Sequence, residues 1–183
     1  MYPVADCHLG TFLEDTFDLR DSHSTQHMIR LCFLASTLNC LTSALDHIHE
    51  HVTKHMDIKP QNILVRKGSS GVNDWRVYLA DFGLLRSFVS QDHSQTDGPT
   101  SLTPRYCAPE VYNHELRGRS ADIFSLGCVF LDIITVCDGK DLHDFADFRS
   151  GESGDQSFHA NLEKVQEWVS GVITSTEQFH SKL

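Results

Sequence analysis

Apolar residues recur at Leu34, Leu38, Leu41, Leu45, Ile48 and Val52. Spacings of four and three keep them on one face of a helix, because a helical turn takes 3.6 residues. This is the strongest periodicity in the chain. It predicts a long amphipathic helix that leads directly into the polar segment at Asp57. Upstream, Leu9, Leu13, Phe17 and Leu19 predict a shorter helix, with Asp21-Ser22-His23-Ser24 as a turn and cap. Downstream, residues 62–65 and 76–80 read as short strands, and the polar, glycine-containing stretch 67–74 between them as a long hairpin turn. A second strong helix is expected over 121–136, capped by Ser120, with Ile123, Phe124, Leu126, Phe130 and Ile133/Ile134 as its apolar set. Residues 87–102 and 147–160 read as loops, the first rich in Ser, Thr, Gln and Asp, and 162–172 as a weak final helix. No internal repeat and no second domain is visible.

Composition narrows the function classes. The 183 residues can bury one core, or part of a larger one. Net charge is −10 and no Lys/Arg run exceeds a pair, which argues against nucleic acid or an anionic membrane as the main partner. Cys7, Cys32, Cys40, Cys107, Cys128 and Cys137 show neither a C-x-x-C pair nor zinc-finger spacing, and read as buried free thiols in a reducing compartment. The N-terminus has no basic start and no apolar stretch. The most apolar run, 123–136, is interrupted by Asp132 and reads as too short to span a bilayer. Cytosol or nucleus is the compartment expected.

The chemistry lies in three short motifs in fixed order: Asp57-Ile58-Lys59-Pro60-Gln61-Asn62, then Asp81-Phe82-Gly83, then Ala108-Pro109-Glu110. Each is a weak signal alone, but together they resemble the catalytic loop, the metal-binding motif and the close of the activation segment in protein kinases. The family needs metal to neutralise phosphate charge, a carboxylate to align the attacking hydroxyl, and tight positioning. The resemblance makes Asp57 the acceptor of the substrate hydroxyl's proton and Lys59 a contact to the transferred phosphate. It makes Asn62 and Asp81 Mg²⁺ ligands. A Lys two residues after the Asp is similar to the serine/threonine pattern rather than the tyrosine one.

The stretch Thr103-Pro104-Arg105-Tyr106-Cys107 before Ala108 resembles the substrate-docking end of the activation segment, with Thr103 and Tyr106 as its docking residues. Asp122, in Asp122-Ile123-Phe124-Ser125-Leu126-Gly127, resembles the buried Asp that anchors the catalytic loop from a central helix; a solvent-facing helix Asp is the plain alternative. His47, His51 and His55 stand at i, i+4 and i+8, but the H-E-x-x-H spacing is not met around His49-Glu50-His51. The resemblance gives His55 a different role, packed under Phe82.

The segment from Met1 to Asp6 resembles a hinge strand, especially that of kinases from filamentous fungi. By that resemblance, backbone at Tyr2 and Val4 would bond the adenine of ATP, with Leu64 and Ala80 packed near it. The expected fold is α+β and mainly helical: the C-terminal lobe of the kinase fold, with short β-hairpins around the catalytic loop and the N-terminal lobe absent. Residues 1–172 would form this partial domain and 173–183 a tail.

Departures from the family pattern are specific. No glycine-rich phosphate loop is present, and every lysine lies at Lys54 or later. Met56 replaces the Arg that receives a loop phosphate in the family, Leu102 stands for a Gly, and Phe124 for a Trp. No late Arg partner for Glu110 is identifiable, which leaves Glu110 unpaired or served by Arg117 or Arg119. The resemblance implies an ATP- and Mg²⁺-dependent protein serine/threonine kinase, with this chain alone inactive. A non-catalytic interaction module and a truncated gene product are the alternatives. Expected partners are a protein substrate or partner protein, neither nucleic acid nor membrane, with self-association through exposed apolar surface.

Overall fold

The computed structural model describes residues 4–22, 24–51, 54–69, 74–81, 104–115 and 118–180. In chain order they form β1 (Cys7–His8), α1 (Leu9–Asp18), α2 (Thr25–Glu50), β2 (Ile63–Lys67), β3 (Trp75–Leu79), α3 (Pro109–Tyr112), α4 (Arg119–Cys137), α5 (Leu142–Ser150) and α6 (Leu162–His180). The architecture is mainly helical with one small antiparallel sheet in the order β1-β2-β3. Its register pairs Cys7 with Val65, and Ile63 with Leu79.

Local chemistry sets the helix starts. The His8 ring accepts from the Thr11 amide at 3.1 Å, and Ser24 accepts from His27 at 3.2 Å, so each satisfies an amide the helix itself leaves open. Ser24 therefore caps α2 as the turn sequence suggests. Ser120 does not cap α4: the helix starts two residues earlier, at Arg119, Gly118 holds the cap position, and the Ser120 hydroxyl donates to Glu110 at 3.2 Å.

The core sits between α1, α2, α4 and the inner face of the sheet. Leu9, Phe12, Leu13, Leu34, Leu41, Ile63, Val65, Val129 and Ile133 are all buried in it. Along α2 the buried stripe is Leu34, Thr37, Leu41, Leu45 and His49, so two polar residues share a face that the apolar pattern gave to Leu38 and Ile48. Val52 lies outside the described residues. The apolar set expected for α4 needs correction. Ile123 is 61% exposed and Ile134 40%, while Asp122 and Asp132 are buried. The solvent face of α4 runs through Ser120, Ile123, Gly127 and Ile134 while Asp122 and Asp132 lie on the buried face, so apolar type alone misplaces the face.

Two further differences concern extent. The loop reading of 147–160 gives way in part to α5, which ends at Ser150, and α6 runs on to His180 instead of stopping at 172. By length and composition α2 and α4 both pass the test for a membrane-crossing helix, so shortness no longer excludes α4. Its packing is that of a core helix: Val129 and Ile133 are fully buried, and its two buried carboxylates bond within the fold. Among the six free cysteines only Cys107 and Cys128 are buried; Cys32, Cys40 and Cys137 are exposed and Cys7 is half-buried, correcting the uniform burial expected.

Candidate active site

Between α2 and β2 the chain runs through residues 54–62 with little regular structure, and side chains hold it. Asp122 of α4 is 1% exposed and accepts three hydrogen bonds. Its Oδ1 takes the Met56 amide at 2.7 Å; its Oδ2 takes the His55 amide at 2.9 Å and His49 Nε2 at 3.0 Å. A buried carboxylate is tolerated when donors surround it, and two of these donors are backbone amides that need an acceptor. The solvent-facing alternative for Asp122 is excluded by its burial. His49 entered the sequence reading only within His49-Glu50-His51, although its place four residues after Leu45 continues the buried stripe.

His55 is fully buried, and its Nε2 lies 3.0 Å from the Ala80 carbonyl, so Nε2 carries the proton. The Ala80 amide donates to the Asn62 carbonyl at 2.8 Å. These two bonds tie the end of β3, and hence Asp81, to the loop that carries Asp57. Because α2 ends at Glu50, His55 is off the helix and shares no helical face with His47 and His51, whose rings lie 4.3 Å apart. Phe82 lies outside the described residues.

Asp57 is the centre of a tight cluster. Lys59 Nζ donates to its Oδ2 at 2.7 Å, and Asn62 Nδ2 donates both to the same oxygen and to the Asp57 carbonyl, each at 2.8 Å. The 3₁₀ turn Pro60–Asn62 brings Asn62 back toward Asp57, and the fixed φ of Pro60 suits the start of that turn. Asn62 is 8% exposed, whereas the Lys59 and Asp57 side chains are 20% and 15% exposed. Among the described residues the cluster is thus only partly open to solvent. Met56 and Asp81, on either side of it in sequence, adopt φ of 70° and 61°. Left-handed backbone at non-glycine residues costs on the order of 1 kcal/mol or more each, and it collects at functional sites.

The other sequence candidates fall into three groups. Leu64 pairs with Tyr78 on the outer face of the sheet, and Val4 is exposed. Tyr106 is buried, and its hydroxyl donates to Asp132 of α4 at 2.7 Å, so this group points into the domain. Glu110 accepts from the Ser120 hydroxyl, and Arg119 makes no ion pair with it. Tyr2, Thr103 and Arg117 lie outside the described residues. A cavity of about 150 Å³ adjoins the loop, lined by Pro60 and Gln61 together with Glu14, Tyr106, Asp132 and His143. Asp132 entered the sequence reading only as an interruption of an apolar run. A carboxylate at such a position, like Asp122, is itself the signal for a buried partner.

The donor set suits a hard cation shared with phosphate. Asn62 uses its amide nitrogen on Asp57, bonds that leave its oxygen available, and Asp81 carries a carboxylate. Among the described residues no group of three His, Cys, Asp or Glu side chains could hold a metal alone. Mg²⁺ binds in that manner, through one or two protein oxygens plus phosphates and water.

Comparison with known proteins agrees with this geometry. The sequence profile described as Protein kinase domain matches residues 9–177. The chain is 37% identical over 95 residues to the serine/threonine-protein kinase PknJ of Mycobacterium tuberculosis, covering 52% of this chain and 16% of that protein. It is 29% identical over 129 residues to the calcium/calmodulin-dependent protein kinase cmkB of Emericella nidulans, covering 70% and 30%. A probable LRR receptor-like protein kinase of Arabidopsis thaliana, At1g51890, is 32% identical over 124 residues, covering 64% and 14%. The chain therefore spans less than a third of the length of each of these relatives. With the three motifs and a profile match over most of its length, the chain belongs to the protein kinase domain family.

Proposed function

We propose that these residues are the C-terminal-lobe portion of a serine/threonine kinase domain, and that Asp57 aligns the Ser or Thr hydroxyl and takes its proton. The observation that carries this reading is the Asp57 carboxylate held by Lys59 and Asn62 at 2.7 and 2.8 Å. Two donors on one carboxylate oxygen hold it in a fixed orientation, as a group that aligns a hydroxyl requires. Lys59 is placed to exchange its bond to Asp57 for a phosphate oxygen, and Asn62 with Asp81 would hold Mg²⁺. When bound, the metal neutralises charge on the phosphates of ATP. Leu64 and Ala80 would form the floor under the adenine, with Tyr2 and Val4 as hinge. Thr103 would contact the docked substrate, and Tyr106, anchored inward on Asp132, would hold that docking segment in shape.

The 183 residues contain neither a glycine-rich loop nor a lysine before Lys54, so the roof of the nucleotide site has to come from elsewhere. Negligible transfer by this chain alone is therefore expected, since positioning accounts for much of the rate. A radiolabelled-ATP assay on generic protein substrates should show no signal above an Asp57→Ala control. Robust, Asp57-dependent transfer by the isolated chain would overturn the inactivity. In a form that carries a complete ATP site, Asp57→Ala and Asp81→Ala should each abolish activity, and survival of either variant would remove these roles.

A further inference from the structure

Arg149, near the end of α5, is only 2% exposed, which is rare for a guanidinium. Phe158 lies 3.8 Å and Phe145 4.4 Å from its carbon, as ring centroids, and its Nε donates to the Gln156 carbonyl at 2.9 Å. Its Nη1 has no hydrogen-bond partner among the described residues, and no carboxylate there lies within 4 Å of it. Burying a cation on these terms is costly, even with cation–π contacts offsetting part of it.

Two of the residues that touch Arg149, Gln156 and Phe158, lead to the turn Pro104–Tyr106. The Gln156 side chain accepts from Arg105. The Phe158 amide donates to the Arg105 carbonyl at 3.0 Å, and the Phe158 ring lies 5.6 Å from the Tyr106 ring. Tyr106 in turn donates to Asp132, whose carboxyl burial pushes up to about 6, while the Tyr106 bond and the nearby Arg149 and Arg105 charges pull it down. Cys128 on the same helix, and Glu14, His143 and Asp147 around the adjoining cavity, are the other titratable groups near Asp132.

We propose that Arg149 is a positioning residue for the docking segment: its buried charge and its hold on Gln156 and Phe158 fix Arg105 and Tyr106 in one arrangement. The proposal rests on the docking reading of residues 103–106 given above. Arg149 thereby gives that segment a buried basic support, whereas Glu110 bonds only the Ser120 hydroxyl among the described side chains.

The test is hydrogen exchange on the whole chain, combined with carbon-13 titration of the Asp132 carboxyl. Arg149→Met keeps the apolar stem and removes the charge. It should speed exchange of the amides of Arg105, Tyr106 and Cys107 by roughly tenfold or more, leave α1 and α2 protected, and raise the Asp132 titration midpoint. Arg149→Lys should restore the midpoint because it restores the charge, a response that mere packing would not give. Should Arg149→Met fail to fold, Arg149→Gln keeps a donor for the Gln156 carbonyl without the charge and carries the same test. Unchanged exchange at 105–107 together with an unchanged Asp132 midpoint in a folded uncharged variant would overturn the proposal. Neither measurement needs ATP or substrate, so a failure of the docking reading, seen as absence of peptide binding, remains a separate result.

Discussion

At the residue scale, Asp122 concentrates the most consequence in one side chain. Its removal would leave the His55 and Met56 amides and His49 without their acceptor in a dry environment. Asp122→Ala should therefore lower stability by about 3–5 kcal/mol, and Asp122→Asn by less, because one acceptor oxygen survives. Urea denaturation measures both, and a loss of under about 1 kcal/mol for the Ala variant would mean the loop does not depend on this anchor. Met56 gives a second expectation. Its side chain cannot pair with a phosphate, so in an active form Ala substitution of Thr96, Thr100 or Ser101, one at a time, should change activity only modestly. These three residues lie outside the described structure. A large loss for one of them, rescued by an upstream kinase, would contradict the reading. The catalytic candidates were legible because their spacing is short and local. His49 and Arg149 were not, because their importance comes from partners 73 and 7 residues away or from burial that no local pattern announces.

At the element scale, α4 is unusual in burying two carboxylates ten residues apart. Asp122 meets the loop before Asp57, and Asp132 meets the turn Pro104–Tyr106, so one helix braces both segments. Asp132 makes this testable by pH. Its folded value, about 6, lies above the ordinary 3.8, with burial the main cause. The folded state therefore binds the proton more tightly than the unfolded chain does. The contribution to stability is fully present below pH 4 and is lost as pH rises through about 6, a change of about 3 kcal/mol at most. Asp132→Asn should flatten this part of the stability–pH curve, read from unfolding midpoints between pH 4 and 7. A variant curve parallel to that of the parent would show that Asp132 is ionised throughout. The expected apolar stripe of α4 fails for the same reason that the helix matters: its buried face carries two carboxylates while Ile123 and Ile134 lie on its solvent face.

At the scale of the whole molecule, the outer face of the sheet exposes Tyr78, and Ile123, Ile134 and Ile173 are also largely open to solvent. Exposed apolar surface favours association or a covering partner, against which the net charge of −10 acts as repulsion. The isolated chain should therefore self-associate or bind a hydrophobic dye, increasingly so as salt screens the charge. Size-exclusion chromatography with dye binding decides this, and a dye-free monomer with a sharp high-temperature melt would make the chain a self-sufficient module. The amino-acid sequence by itself determined the family, the order of the three motifs, the long helix before Asp57 and the cap at Ser24, because each is written in local spacing and residue type. Only the tertiary structure decided that Asp122 anchors on His49 as well as on the loop, that Tyr106 turns inward to Asp132, and that Arg149 is buried behind the turn Pro104–Tyr106. Those facts depend on which distant elements pack together, and a buried polar group reveals its role only through the partner that packing brings to it.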